Sequence, residues 1–165
     1  MPKKPLKILG INPGTKYLGI AVHLGSELRD WRVKTIHGKW SREKMKKIKM
    51  IILSFIDQYE PNILAIKKLH PSRSSQNLKY LVTKIKELSK NNGLKVYQYS
   101  TKELENFFQL EEKTNKTKMA KTLASEYPDL FHEFNREKSN KNTYYIRMFE
   151  AVALASMCFS KLDNQ

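Results

Sequence analysis

A single cysteine, Cys158, in 165 residues excludes an internal disulfide and any cysteine-built zinc site. Its neighbours Ala155 and Phe159 predict a buried, inert thiol. Acidic residues are also scarce: 16 Asp and Glu stand against 31 Lys and Arg, giving a formal net charge of +15. That excess favours polyanionic partners, meaning nucleic acid or an anionic membrane surface. No apolar run approaches the ~18 residues that a membrane span needs, and no secretory hydrophobic region follows Met1. The expectation is therefore a soluble intracellular protein, cytoplasmic, and nucleoid-associated if DNA is its partner, with no membrane association. Glycine and proline number only six each, and hydrophobic residues make up 40%, which is globular composition. With no internal repeat and no low-complexity linker, the reading is one domain over 1–165, residues 1–6 forming a flexible basic lead-in.

The charge is uneven. Residues 1–50 carry thirteen Lys or Arg against three acids, Glu27, Asp30 and Glu43. The plain reading of Lys44, Lys46, Lys47 and Lys49 is the solvated face of a helix. The sharper one is a field that attracts a polyanion.

Periodicity orders the elements. Lys7–Asn12 and Tyr17–His23 read as strands joined by an Asn-Pro-Gly-Thr turn, and Glu27–Ile36 alternates as a third antiparallel strand. Met45, Ile48, Ile52, Phe55 and Ile56 recur at helical spacing across Arg42–Tyr59, with Ser41 as cap and Pro61 as stop. Ile63–Ile66 is a continuous apolar run, the mark of a strand buried on both faces. A polar loop, a helix over 77–91 and a strand over Lys95–Tyr99 follow. Helices are predicted at Thr101–Phe108, Thr117–Tyr127 and Tyr144–Lys161, and Glu133–Asn142 reads as a charged, mobile segment. The order β-β-β-α-β-α-β-α-α-α predicts an α/β fold: a mixed five-stranded sheet, three antiparallel strands then two crossover strands, with helices on both faces.

The segment GINPGTKYLGIAV, residues 10–22, carries the sharpest signal. Asn12 ends the first strand, where folds that bind a catalytic magnesium place an aspartate, because a hard dication wants anionic oxygen. Two such ions about 4 Å apart, held by carboxylates at neighbouring strand ends and on a late helix, are a device for phosphodiester hydrolysis.

Four blocks, GINPGTKYLGIAV, PNILAIKKLH, GLKVYQYSTKELENFF and YYIRMFEAVALASM, together resemble RuvC-type Holliday-junction resolvases of the RNase H-like superfamily. The resemblance runs from Lys7 to about Phe159. It implies that the family's four metal-binding acids fall on Asn12, Lys67, Arg147 and Glu150. Only Glu150 keeps a carboxylate, and two of the positions are cationic. A lysine ammonium about 4 Å from a dication is repelled by on the order of 8 kcal/mol at an effective dielectric near 20. The expectation is an RNase H-like protein with no intact catalytic set, no metal and no cofactor. Magnesium returns only if the chain is an active structure-specific endonuclease with an altered site. A second resemblance, carried by Gly14–Val22, is to nuclease-like proteins implicated in ribosomal RNA maturation, and leaves an RNA-associated role open.

Basic residues would then do the binding. Lys67, Lys68 and Arg73 flank the loop that resembles the family's junction-contacting region. With Lys16, Lys79, Lys116, Lys118, Lys121 and Arg147 they are candidates for one basic surface. The competing reading is dispersed solubilising lysines. His70 falls where resolvases tend to place an aromatic wedge, whereas His23, His37 and His132 lack metal-ligand spacing and read as surface or loop residues. The predicted partner is nucleic acid, branched or structured DNA in particular. Leu78, Leu81, Val82 and Ile85 read as packing onto the sheet, and the resemblance adds a homodimer interface on the same helix.

Overall fold

The computed structural model describes residues 5–109, 115–140 and 144–164, with the side chains of all of these except 115–117, 136–140 and 144. Strands β1 (Lys7–Asn12), β2 (Tyr17–Leu24) and β3 (Glu27–Thr35) form an antiparallel meander. The crossover strands β4 (Ile63–Lys67) and β5 (Lys95–Tyr99) add to the other side of β1, giving the order β3-β2-β1-β4-β5. β4 lies parallel to β1 with Ile11 opposite Ile66, and β5 lies parallel to β4. The C-terminal ends of β1, β4 and β5 therefore open at the same edge of the sheet. β3 and β5 are its outer strands. This is the mixed five-stranded α/β arrangement that the strand and helix patterns predict.

Local chemistry sets the ends of the helices. Ser41 accepts the Lys44 N–H and starts α1 (Arg42–Tyr59), which Glu60 closes in the left-handed region at φ 48°. Proline 61 follows that cap and does not itself make the stop. Ser75 caps α2 (Gln76–Asn91), and Ser100 with Glu103 forms a reciprocal capping box at α3 (Thr101–Phe107). α4 (Asn115–Glu126), a single 3-10 turn at Pro128–Leu130, α5 (Phe131–Asn140) and α6 (Tyr144–Asp163) complete the chain.

Three expectations need correction. Residues 133–140, read as a mobile segment, continue α5; residues 141–142 lie outside the described ones. Buried Leu130 and partly buried Phe134 join the core beside α6 and hold this stretch in place. Lys44 is no part of a solvated face: it is buried, and its Nζ donates to the Gly38 carbonyl at 2.9 Å. Of the predicted lead-in over 1–6, residues 1–4 lie outside the described ones, while Pro5 and Leu6 are anchored, their carbonyls accepting from the Asn62 side-chain amide and the Gly25 N–H.

Two apolar layers sandwich the sheet. Leu9, Ile11, Ile20, Leu64 and Ile66 pack under α1 and α2, while Ile8, Ala21, Ile63 and Ala65 pack under the helices on the α6 side. The second layer is unusually close because β1 and β2 present glycines to α6. A Cβ at Gly10 would meet the Ala151 carbonyl oxygen, and one at Gly19 would overlap the Arg147 carbonyl. The absence of side chains there lets the helix backbone rest on the strands. That contact fixes Arg147 and Glu150 over the end of β1. Cys158 is buried on the same helix, and burial pushes its thiol pKa up, as expected of an inert thiol.

Candidate nucleic-acid interface

Asn12 and Lys67 are the last residues of β1 and β4 and follow directly on the paired Ile11 and Ile66. Parallel register therefore sets them side by side. α6 crosses above, and Glu150 reaches down between them. Its Oε2 accepts from Asn12 Nδ2 at 2.9 Å and from Lys67 Nζ at 2.9 Å. Asn12 Nδ2 also points at the Arg147 carbonyl at 3.4 Å, and Arg147 donates to the Pro13 carbonyl at 3.3 Å. Gly14 makes room for that guanidinium, since a Cβ there would crowd it.

The burial of the group is graded. Asn12 is 1% exposed and Glu150 7%, while the Lys67 side chain is 24% exposed. A carboxylate at this depth needs compensation, and an ammonium plus an amide N–H supply it. Asn12 Oδ1, also buried, has no hydrogen-bond partner among the described residues. No group of three or more His, Cys, Asp or Glu able to hold a metal ion occurs among the described residues. Asp30 and Glu27 do not move in to replace the missing acids. Asp30 is held by Arg32 in a two-point contact and by the Tyr59 hydroxyl at 2.6 Å, and Glu27 pairs with Arg29.

In front of this cluster lies a cleft of about 630 Å³. Asn12, Lys67, Lys68, His70, Arg73 and Arg147 line it, together with Lys102 and Glu103 from the start of α3. The loop between β4 and α2 is braced by its own side chains. His70 Nδ1 accepts from Ser72, and the His70 carbonyl accepts from the Ser74 hydroxyl. The braced loop leaves His70 and Arg73 exposed at the rim.

Not every predicted residue reaches the cleft. Lys16 lies at the β1–β2 turn with its Nζ 5.3 Å from the Tyr17 ring centroid, and it does not line the cleft. Lys79 on α2 is half-buried, and Lys118 and Lys121 are exposed on α4; none of the three lines it either. The Lys116 side chain lies outside the described residues. Lys102 is the cation that sequence reasoning missed. Its signal was the strand-end position after β5, whose C-terminal end opens at the same edge as Lys67.

His23 is a correction, being buried and not on the surface or in a loop. Its Nδ1–H donates to the Gly25 carbonyl, and its Nε2 accepts from the Tyr127 hydroxyl, both at 2.9 Å. Burial lowers its pKa below the ordinary value, and the Gly25 contact opposes this only in part. The Tyr127 hydroxyl also meets Ser156 at 3.2 Å, so the network ties β2 to α6 and to the residue that follows α4.

The same architecture occurs in solved structures. Thermus thermophilus RuvC in complex with a Holliday-junction substrate matches with a TM-score of 0.71 at 15% identity, over 96% of this chain and 96% of that one. Thermus thermophilus RuvC in a further structure matches at 0.70 and 15% identity, over 96% and 97% of the two chains. The Fowlpox virus resolvase, in complex with substrate Holliday-junction DNA, matches at 0.60 and 15% identity, over 95% and 99%. At that identity the match establishes the fold, which is that of RuvC-type resolvases. No protein-family model matches the sequence, and no curated protein matches it.

Proposed function

We propose that this protein binds branched or structured DNA through the basic cleft and does not cleave it by a metal-dependent reaction. The observation that carries the reading is the engagement of Glu150 by Lys67 and Asn12. The only carboxylate at the four strand-end and helix positions is already neutralised. An ammonium also stands where a second anionic ligand would be needed. That donor set does not fit a hard dication, which seeks several anionic or carbonyl oxygens. The cleft does suit phosphate oxygens: Lys68, Arg73, Lys102 and Arg147 bring positive charge to one concave surface, while Lys67 is paired with Glu150.

Junction DNA is the favoured partner because the solved structures with this architecture were captured on Holliday junctions. Preference would come from duplex shape, since a floor of phosphate contacts carries no base code. Affinity would fall steeply with salt as each neutralised phosphate releases its counterions.

The test is a labelled four-way junction, a linear duplex and a structured RNA, each mixed with the protein with and without Mg²⁺ or Mn²⁺. Retardation of the junction with no product in any lane is expected. Replacing Lys68 or Arg73 with Ala should shallow the log–log salt slope by about one phosphate contact each. Metal-dependent nicking that disappears in Glu150→Gln would establish an altered-site endonuclease instead. Retention of the RNA alone would move the assignment to an RNA partner.

A further inference from the structure

We propose that a cavity at the end of the sheet remote from the basic cleft binds a small organic cation, an ammonium or guanidinium carried on an apolar body. The cavity shares no lining residue with the cleft, so the inference goes beyond nucleic-acid binding.

Topology separates the two sites. β2 runs antiparallel to β1, so Leu24 pairs with Lys7 at the opposite end of the sheet from the Asn12–Gly19 pair. Ser26, in the turn that follows β2, is on the cavity wall, and α6 passes over the cleft and finishes here. The cavity holds about 350 Å³, a volume typical of small-molecule sites. Four aromatic rings line it: Phe107, Phe108, Tyr127 and Phe159. Phe107 and Phe108 meet edge to face with centroids 4.9 Å apart, and Phe107 is 37% exposed. Tyr127 is braced from behind, its hydroxyl engaged by both His23 and Ser156.

Electrostatics select the ligand. The lining carries two carboxylates, Glu126 and Asp163, and no Lys or Arg, in a chain whose net charge is +15. Neither carboxylate forms a salt bridge among the described residues. Glu126 is the last residue of α4 and Asp163 the last of α6. A carboxylate at a helix C-terminus opposes the macrodipole, whose negative end is already there. Each acid therefore costs its own helix stability, and a bound cation relieves both. The rings add their negative faces to the attraction and give the apolar body of the ligand a surface to pack on. The net positive field of the chain disfavours cations over the rest of its surface.

Titration calorimetry on the full-length chain tests this, with no nucleic acid present, so the outcome is independent of the junction assays. Benzylamine and agmatine are the probes, and benzyl alcohol is the uncharged counterpart. Both amines should bind, and the alcohol should bind roughly tenfold more weakly than benzylamine. The double variant Glu126→Gln, Asp163→Asn should weaken the amines by roughly tenfold, and Phe107→Ala by roughly threefold. Circular dichroism establishes that the variants are folded. Without ligand the double variant should melt no lower than wild type, because its acids oppose the helix dipoles. A lower Tm would give the two acids a structural role and overturn the proposal. So would the absence of heat with both amines at millimolar concentration, equal affinity for the alcohol, or amine affinity unchanged in the double variant. A tripeptide with a central Arg that binds more tightly than either amine would overturn the small-molecule assignment in favour of a protein partner.

Discussion

Lys67 and Glu150 neutralise one another across 2.9 Å, one at the end of β4 and the other inside α6. The pair closes the floor of the cleft and withholds one cation from any incoming phosphate. Replacing Glu150 with Gln removes the competitor and leaves the Lys67 charge facing the cleft. Junction affinity at constant salt should rise by about 1 kcal/mol, roughly fivefold. A gel-retardation or anisotropy titration reads it. Unchanged or weaker binding would show that Lys67 takes no part in phosphate contact.

Restoring acids should restore metal affinity. The triple variant Asn12→Asp, Lys67→Glu, Arg147→Asp surrounds Glu150 with three further carboxylates on the same strand ends and helix. Titration calorimetry should detect Mn²⁺ or Mg²⁺ binding in the variant and no comparable heat in the wild type. A silent variant that is folded would mean that these four positions do not converge on a metal-sized space.

The contact of α6 with the sheet tolerates no methyl group at Gly19. A Cβ there would overlap the Arg147 backbone carbonyl, which cannot swing aside as a side chain could. Gly19→Ala should cost about 3 kcal/mol and lower Tm by roughly 6–12 °C. The same change should weaken junction binding, because Arg147 is displaced with the helix. Gly25→Ala is the comparison: nothing lies within 4 Å of its would-be Cβ, although its φ of +60° makes it mildly strained.

Acid should loosen the sheet through His23. Burial holds its folded-state pKa below the ordinary 6.5. The unfolded chain therefore binds the proton first as pH falls. The stability contributed by the neutral ring is complete above about pH 6.5 and is lost progressively as pH drops toward the folded value. Urea midpoints at neutral pH and at about pH 5 should show a larger drop for wild type than for His23→Gln. Equal drops would remove His23 from the account.

The elements were legible because their ends carry local chemistry. Ser41, Ser75 and Ser100 cap helices through contacts three residues away, and the continuous apolar run at Ile63–Ile66 marks an interior strand. Residues 133–140 were misread because they are polar in sequence, while their anchors, Leu130 and Phe134, act through distant contacts with the α6 side of the core. His23 and Lys44 were misplaced for the same reason: their burial depends on Tyr127 and on the Gly38 turn, which no periodicity reveals. At the site, strand-end positions could be read for Asn12 and Lys67. A pairing of Glu150 with one of the cations at the site, Lys67 or Arg147, could be read as well; which of the two could not, since Lys67 is 83 residues away. Net charge likewise could not say that Lys16, Lys79, Lys118 and Lys121 lie off the cleft.

The outer strand β3 has a consequence of its own. Arg29, Arg32 and Lys34 stud a nine-residue ribbon whose free edge would otherwise invite another molecule to extend the sheet. Arg29 and Arg32 are paired with Glu27 and Asp30, and such charged side chains along an edge disfavour its pairing with another strand. Charged side chains along that edge thereby disfavour fibrous self-association through it.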